Sequence, residues 1–540
     1  MAYNLIEEPW IPVRRASGKV ERIAPWQVAE TGDAPLRVES PRPDFDAALL
    51  EFLIGLVQTV FTPKNSDEWE QVYKQGCAPE LLRKKMLVER DAFFLDGDGP
   101  RFMQDLTVHT DKKVEEKPIE GLLIDRGMAG DTSLFAKDGG FEELGLPAAA
   151  AAILTLQAFA PSGGRGQCTS LRGGGPLSVT VQDESLWGTV WCNVLLQLDL
   201  DSLPGDPKKT AMEDRIPWMG QTRTSEKGKP STFPPDVHPL QHYWALPRRF
   251  RLVIEPERKG TCAIYGDRDV PVVRAFQSRP DGTSYDGPYR HPLTPYTVGK
   301  EGEPPNPKKG SRAGLPYRDW PLLTIGSERL LPPKVVDSFM QQERGRCAPC
   351  YRVAARGYAM DNMKPLRFVE ADVPLLHVSR SVLEQLRADA TGLVEASDAV
   401  RKTLLQQTKS AWKDRPGDQS GEVEARVDVA FWAATESAFH AAVRGVAAAI
   451  EKDSADDRAN EKRRFLSILH GEAVRLFDAL CPLDVSEGPA GLARAVRARQ
   501  SAVRFTRPDN KSLLKCVGLA PAELPGTTPK RRSKKKEAKP

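Results

Sequence analysis

The chain has 540 residues, of which 40% are hydrophobic and 28% charged, with 42 Gly and 45 Pro. That composition excludes a mostly disordered, collagenous or coiled-coil chain, and at about 150 residues per domain the length predicts two to four domains. The net charge of +4 is carried by the end of the chain: Lys530–Pro540 holds seven Lys and Arg against Glu537, which leaves the body slightly acidic at −2. Charge alone therefore does not make the body a nucleic-acid binder, and any such role has to come from local basic loops.

The longest clear apolar run, Ala148–Leu156, falls far short of the ~20 residues that span a bilayer. Met1–Val13 carries Glu7 and Glu8 with no basic start and no small-residue cleavage site, which is not the pattern of a signal peptide. Eight Cys are sparse, and only Cys347 and Cys350 form a C-x-x-C. A disulfide framework is not expected, and the chain reads as cytosolic.

In chain order, Leu5–Val13 brackets Pro9 and Pro12 with apolar residues and Trp10, the pattern of an N-terminal edge strand anchored by a buried Trp. Leu49, Leu50, Leu53, Leu56 and Val57 recur at helical steps and predict a helix over 45–61, closed by Pro63. Pro147 opens a second helix through Phe159. A glycine-dense loop, Pro161–Pro176, follows, then a helix over 184–198 with Trp187, Val190, Trp191 and Val194 on one side. From Asp201 to Pro332 short strands and long loops are expected, with strands at Phe250–Ile254 and Val270–Phe276 and a hairpin turn near Arg258-Lys259-Gly260. Beyond Val373 four helical patterns predict a four-helix bundle: 381–412 (with Gly392 as a possible interruption), 422–450, 457–480 and the more basic 490–504. The fold class is thus α+β: a large irregular mixed N-terminal domain over 1–370, a four-helix bundle over 371–510 and a basic, disordered tail over 511–540.

The chemistry-bearing residues form no catalytic set. The seven His are scattered, with no H-E-x-x-H. Cys347 and Cys350 lack the second pair that a structural zinc site needs. No metal and no cofactor is called for. The loop Ser162-Gly163-Gly164-Arg165-Gly166-Gln167, followed by Leu171-Arg172-Gly173-Gly174-Gly175-Pro176, is neither a P-loop nor a dinucleotide fingerprint. Glycines let backbone approach a ligand closely, and Arg165 and Arg172 suit phosphate, although composition alone favours a flexible turn. Arg248, Arg249, Arg251, Arg258, Lys259, Arg274, Arg279, Arg290, Lys308, Lys309 and Arg312 make the β region locally basic, with Phe276, Tyr285, Tyr289 and Tyr296 between them. Such interleaving occurs in nucleic-acid sites and equally on solvated faces over an ordinary β core.

Several of these segments, in this order, resemble one family. Asn4-Leu5-Ile6 with Pro9-Trp10-Ile11-Pro12-Val13, the glycine loop with its L-R-G-G-x-P, and Gly357–Lys364 are similar to the CasA family, the large subunit of the type I-E CRISPR surveillance complex Cascade. The resemblance covers roughly residues 3–510. It implies a non-catalytic subunit that recognises a protospacer-adjacent motif (PAM) in duplex DNA, helps open the duplex for R-loop formation and recruits a helicase-nuclease. Its implied partners are the crRNA-bound Cascade backbone and small subunits, double-stranded target DNA and the helicase-nuclease, with no membrane.

Site residues follow from the resemblance position by position. The family's glycine loop maps onto Gly163, Gly164, Arg165 and Gly166, where Arg165 interrupts a purer glycine run and either adds a contact or relaxes motif preference. The first DNA-facing loop maps onto Leu134-Phe135-Ala136-Lys137, with Phe135 for stacking and Lys137 for phosphate; the alternative for Phe135 is packing on its own domain. The family's lysine finger falls near Ser278-Arg279, so Arg279 stands for the lysine. The strand-separating wedge hairpin is expected in or near Val335–Gln342, with Gln341 and Gln342 at its tip. From their charge rather than from the resemblance, Arg172 and, on the last bundle helix, Arg494, Arg497 and Arg504 are the expected phosphate contacts; Arg497 and Arg504 share a helix face, and the alternative for these helix residues is a solvated bundle face. Two other readings stay open: a ribonucleoprotein scaffold that binds guide RNA without reading DNA, and a thiol- or metal-dependent enzyme using Cys347 and Cys350.

Overall fold

The computed structural model describes residues 2–110, 114–126, 140–161, 166–341, 351–361, 364–376, 378–412, 421–482 and 488–520. The chain divides into two compact units, Met1–Arg387 and Ala388–Pro540.

In the first unit an antiparallel sheet is built from β1 (Ile11–Arg15) between β2 (Val20–Ile23) and β3 (Pro35–Val38). Trp10 enters it fully buried, its indole N–H donating to the Leu5 carbonyl at 2.8 Å. Helix α1 (Pro43–Val60) starts at a proline, as the N1 position permits. Its Phe52 meets Trp10, Phe93, Phe102 and Trp244 edge to face at 5.0–6.0 Å, which puts α1 at the centre of an aromatic core.

The second sheet is a long hairpin of β7 (Arg249–Gly260) and β8 (Val270–Arg279), to whose far edge two short strands add. Strand β4 (Glu115–Pro118) and strand β5 (Leu144–Gly145) both pair β8, opposite β7. Both long strands run past the expected spans, so the connection is residues 261–269 and not the Arg258–Gly260 segment. Strand β6 (Leu177–Gln182) makes a third sheet with β12 (Arg352–Asp361) and β13 (Lys364–Pro374) in the order β13-β12-β6. Three two-residue strands, β9 (Tyr296–Thr297), β10 (Asn306–Pro307) and β11 (Leu330–Leu331), complete the unit.

Helix α2 (Leu146–Phe159) is apolar all round and buried along almost its whole length, the mark of a core helix. The helix expected over 184–198 is broken: α3 (Leu186–Cys192) ends at Asn193 and a separate turn of helix follows at Gln197–Asp201. The Asn193 amide donates to the carbonyls of Val181 and Thr189 and accepts from the Val181 N–H. That side chain outcompetes helix continuation.

The segment expected to hold the wedge hairpin is a helix. Lys334–Gln341 forms α4, with Val335, Val336 and Phe339 buried. The apolar residues at positions 335, 336 and 339 follow a helical step, not strand alternation. Gln341 is its last residue, and Gln342 lies outside the described residues.

The second unit is a bundle of four long helices: α5 (Arg380–Trp412), α6 (Gly421–Glu451), α7 (Ala455–Leu480) and α8 (Gly488–Thr506). The unit boundary falls inside α5, whose Arg387 donates to the Ile325 carbonyl of the first unit's own fold. Gly392 does not interrupt the helix; a Cβ there would overlap the Cys516 carbonyl, so the glycine serves close packing. Within the unit Asp389 pairs with Arg458 and Lys462, Arg401 with Asp428, and Phe439 meets Phe465 at 6.3 Å. The tail expected to be disordered from 511 begins instead with a short helix, Lys511–Cys516, whose Leu513 and Leu514 are buried; residues 521–540 lie outside the described residues, and among those described no helix is long and apolar enough to cross a membrane.

Candidate nucleic-acid interface

The glycine loop leaves from the end of α2. Ala160 takes an extended backbone conformation and Pro161 follows. Residues 162–165, including Gly163, Gly164 and Arg165, lie outside the described residues, but both feet of the loop are described. At the returning foot Gly166 has φ +76°, and a Cβ there would come within 2.7 Å of the Pro280 Cβ. Only glycine combines that backbone with that approach. The Gly166 carbonyl accepts from the Asp281 N–H at 2.7 Å.

The fold therefore carries the foot of the glycine loop to the end of β8, one residue past Arg279. Arg279 and Gly166, distant in sequence, become neighbours there. Arg279 sits at the base of the β7–β8 hairpin, opposite Arg249 in register, and donates to Glu226 at 2.9 Å. Arg249 is buried against Asp105 at 2.7 Å. Many other β-region cations are also paired: Arg258 with Glu255, Arg274 with Glu143, Lys308 with Asp319 and Arg312 with Asp361.

Arg172 has a different role from the one expected. It is 2% exposed, with Nη2 on Glu51 at 2.6 Å, Nη1 3.2 Å from the Thr294 hydroxyl, and the guanidinium over the Phe159 ring at 5.2 Å. Burial, with Arg172 adding repulsion, holds the neighbouring His291 well below the ordinary imidazole range and so neutral. An arginine neutralised inside the unit does not reach a backbone phosphate, so the phosphate-contact assignment of Arg172 is withdrawn.

In the second unit Arg497 and Arg504 are exposed on α8. Arg497 donates to the Ala493 carbonyl of its own helix, and Arg504 lies over the Phe505 ring. Arg494 is half-buried and donates to the Ala411 carbonyl at 3.1 Å. The neighbouring Arg499 is committed to Asp478 by two bonds. Phe135, Ala136, Lys137, Cys347 and Cys350 lie outside the described residues, and among those described no group of three or more His, Cys, Asp or Glu forms a metal cluster.

The model of the family described as CRISPR-associated protein Cse1 matches residues 4–476. The chain belongs to the Cse1 family. A curated CasA/Cse1 protein of Thermus thermophilus is 28% identical over 169 residues, which are 30% of this chain; the chain spans about a third of that relative's length, 32%. The solved Cse1 of Thermobifida fusca superposes with a TM-score of 0.68 at 16% identity, covering 95% of this chain and 98% of the other. Thermus thermophilus CasA gives 0.66 at 17% identity, covering 94% and 99%. A chain of a structure described as a CRISPR RNA-guided surveillance complex gives 0.63 at 16%, covering 93% and 99%. At these identities the likeness is one of fold.

Against the Cse1 fold, two features escape the sequence reading. One is Arg248, which sequence places in a generic basic cluster and structure places between the two feet of the glycine loop. Nothing local in the sequence distinguishes it from Arg249 or Arg251. The other is the β12–β13 hairpin. Its first strand, Arg352–Asp361, is buried on both faces along most of its length and so lacks the apolar–polar alternation that marks a half-exposed strand.

Proposed function

We propose that this Cse1-family chain is the non-catalytic large subunit of a type I-E RNA-guided surveillance complex. It recognises the PAM in duplex DNA, helps open the duplex for R-loop formation and recruits the helicase-nuclease in trans. The observation that carries the reading is the family match over residues 4–476. It is supported by the fold shared with chains of a CRISPR RNA-guided surveillance complex, one described as pre-nicking. In this reading the subunit assembles with the crRNA-bound Cascade backbone and small subunits in the cytoplasm.

The division of labour follows from energetics. The minor groove offers a degenerate pattern, so a glycine loop reading it discriminates coarsely. Guide–target pairing supplies most specificity, because the heteroduplex is about as stable as the duplex it replaces. Protein contacts then need to tip a nearly balanced exchange. Gly163, Gly164, Arg165 and Gly166 approach the PAM, with Arg279 beside the loop's foot and Phe135, Ala136 and Lys137 on the neighbouring loop. Arg494, Arg497 and Arg504, with the tail over 530–539, hold phosphate and add salt-dependent affinity.

Replacing Gly163 and Gly164 by Trp is expected to lower affinity for PAM-bearing duplex by at least about tenfold while the complex still assembles, because bulky side chains prevent backbone approach. The measurement is duplex binding by the assembled complex; unchanged affinity favours the RNA-binding scaffold. In the same titration, Arg497→Ala with Arg504→Ala should lower the slope of log K against log salt by about 2, roughly one per phosphate contact.

In this reading the strand-separating role passes from the α4 segment to the tip of the β12–β13 hairpin, whose strands run on past the end of the β6 pairing at Gly357. Its connecting residues Asn362 and Met363 lie outside the described residues. Replacing 361–364 by a two-residue Asn-Gly turn shortens the hairpin without breaking its register. The expected result is normal duplex binding with permanganate reactivity lost at the first PAM-proximal thymines. Undiminished opening removes the wedge from this hairpin.

A further inference from the structure

Arg248 is 6% exposed, and no carboxylate among the described residues pairs with it. Its three donor groups go instead to the two feet of the glycine loop. Nη2 donates to the Pro161 carbonyl on the outgoing foot. Nε donates to the Cys168 carbonyl at 2.8 Å and Nη1 to the Gln167 side-chain oxygen at 3.0 Å on the returning foot. The backbone of Arg248 is itself fixed, its N–H donating to the Gln157 side-chain oxygen at 3.0 Å while the Gln157 amide donates to its carbonyl at 2.9 Å. Gln157 lies on α2, so one core helix and both loop feet are joined at a single residue just ahead of β7, the helix through the Arg248 backbone and the feet through its guanidinium.

We infer that Arg248 is a positioning residue for PAM reading: it sets the separation of the two described feet of the glycine loop, Pro161 and Gln167–Cys168. The inference rests on the proposed reading that this loop meets the PAM. Glycine-rich backbone loses more conformational freedom on ordering than any other, and fixing the loop's ends in advance removes part of that cost before DNA arrives. A guanidinium is suited to this because its donors leave a rigid plane in diverging directions, whereas an ammonium is a compact point charge. The cost is a buried cation satisfied by neutral acceptors. Burial pulls the Arg248 guanidinium down to about 10, which leaves it charged at neutral pH. A fully apolar replacement would avoid that penalty but could not join the feet.

The test uses Arg248→Lys, which keeps the charge and loses the fork, beside Gln167→Ala, which removes one acceptor without touching the core. In the full-length chain, amide exchange at Asp281, whose N–H meets the Gly166 carbonyl, should rise at least about tenfold for Arg248→Lys and less for Gln167→Ala. In the assembled complex, selection from target duplexes randomised at the motif should lose roughly tenfold of its preference, with affinity for the poorest motifs unchanged. Exchange at Asp281 that stays at the wild-type rate overturns the clamp whatever the DNA result. Raised exchange with full motif preference overturns the positioning role if Gly164→Trp abolishes the preference. If Gly164→Trp leaves the preference intact as well, the failure belongs to the loop-reading proposal, and the positioning role falls with it. Should Arg248→Lys fail to assemble, Gln167→Ala decides on the same two readouts.

Discussion

Glu51→Ala is expected to destabilise the 1–387 unit by about 3–5 kcal/mol, the usual cost of leaving one partner of a buried ion pair uncompensated. Glu51 projects from α1 and accepts from Arg172 at 2.6 Å, and both side chains are buried. The other hydrogen-bonding neighbours of the guanidinium are the Thr294 hydroxyl and the neutral His291. Neither balances its charge. The pair itself is not a large source of stability: the second Glu51 oxygen has no hydrogen-bond partner among the described residues, and desolvation offsets much of the attraction. Breaking the pair and removing it therefore have different consequences. Glu51→Leu combined with Arg172→Met should lie close to wild type, since replacing a buried pair by apolar groups of similar volume is often neutral. Equilibrium urea unfolding of the two variants checks both statements. A Glu51→Ala loss below about 1 kcal/mol would show that water reaches the site.

Gly282→Ala is expected to cost about 3 kcal/mol, the upper range for inserting an atom into a packed site. The backbone of Gly282 is pressed against Pro247 so closely that a Cβ would overlap the Pro247 carbonyl oxygen and come 2.8 Å from its carbon. The obstacle is backbone and cannot rotate away. Ser225 donates its N–H to the carbonyls of Asp281 and Gly282, and Cys168 lies 3.8 Å from the Gly282 carbonyl. Forcing residues 247 and 282 apart should therefore loosen the junction on which Gly166 rests. Urea unfolding measures the loss, and amide exchange at Ser225 should rise in parallel. A variant as stable as wild type would show that the 247–248 segment shifts freely, which would also weaken the case for Arg248 as a rigid hub.

The elements that a local pattern could determine were legible in the sequence. Leu49, Leu53 and Leu56 announce α1, Pro147 opens α2, and the four apolar stripes with breakers between them announce the bundle. In each case the information is periodicity, caps and breakers, all within one or two turns of chain. The family resemblance was legible for a related reason: it rests on short runs whose order along the chain survives. What only the tertiary structure decided is where each charged side chain spends its charge. Arg172 and Arg248 look alike in sequence, as basic residues around a glycine loop. One is neutralised by Glu51, 121 residues away, and the other joins carbonyls 80 and 87 residues away. Helix α4 stands where a wedge hairpin was expected for the same reason in reverse: the local 335, 336, 339 step marks a helix there, whatever position the resemblance implies. Local sequence sets the backbone's period because the forces involved act over a few residues. The partner of a buried ion or of a loop's foot is set by packing between segments far apart in sequence, and no local pattern encodes it.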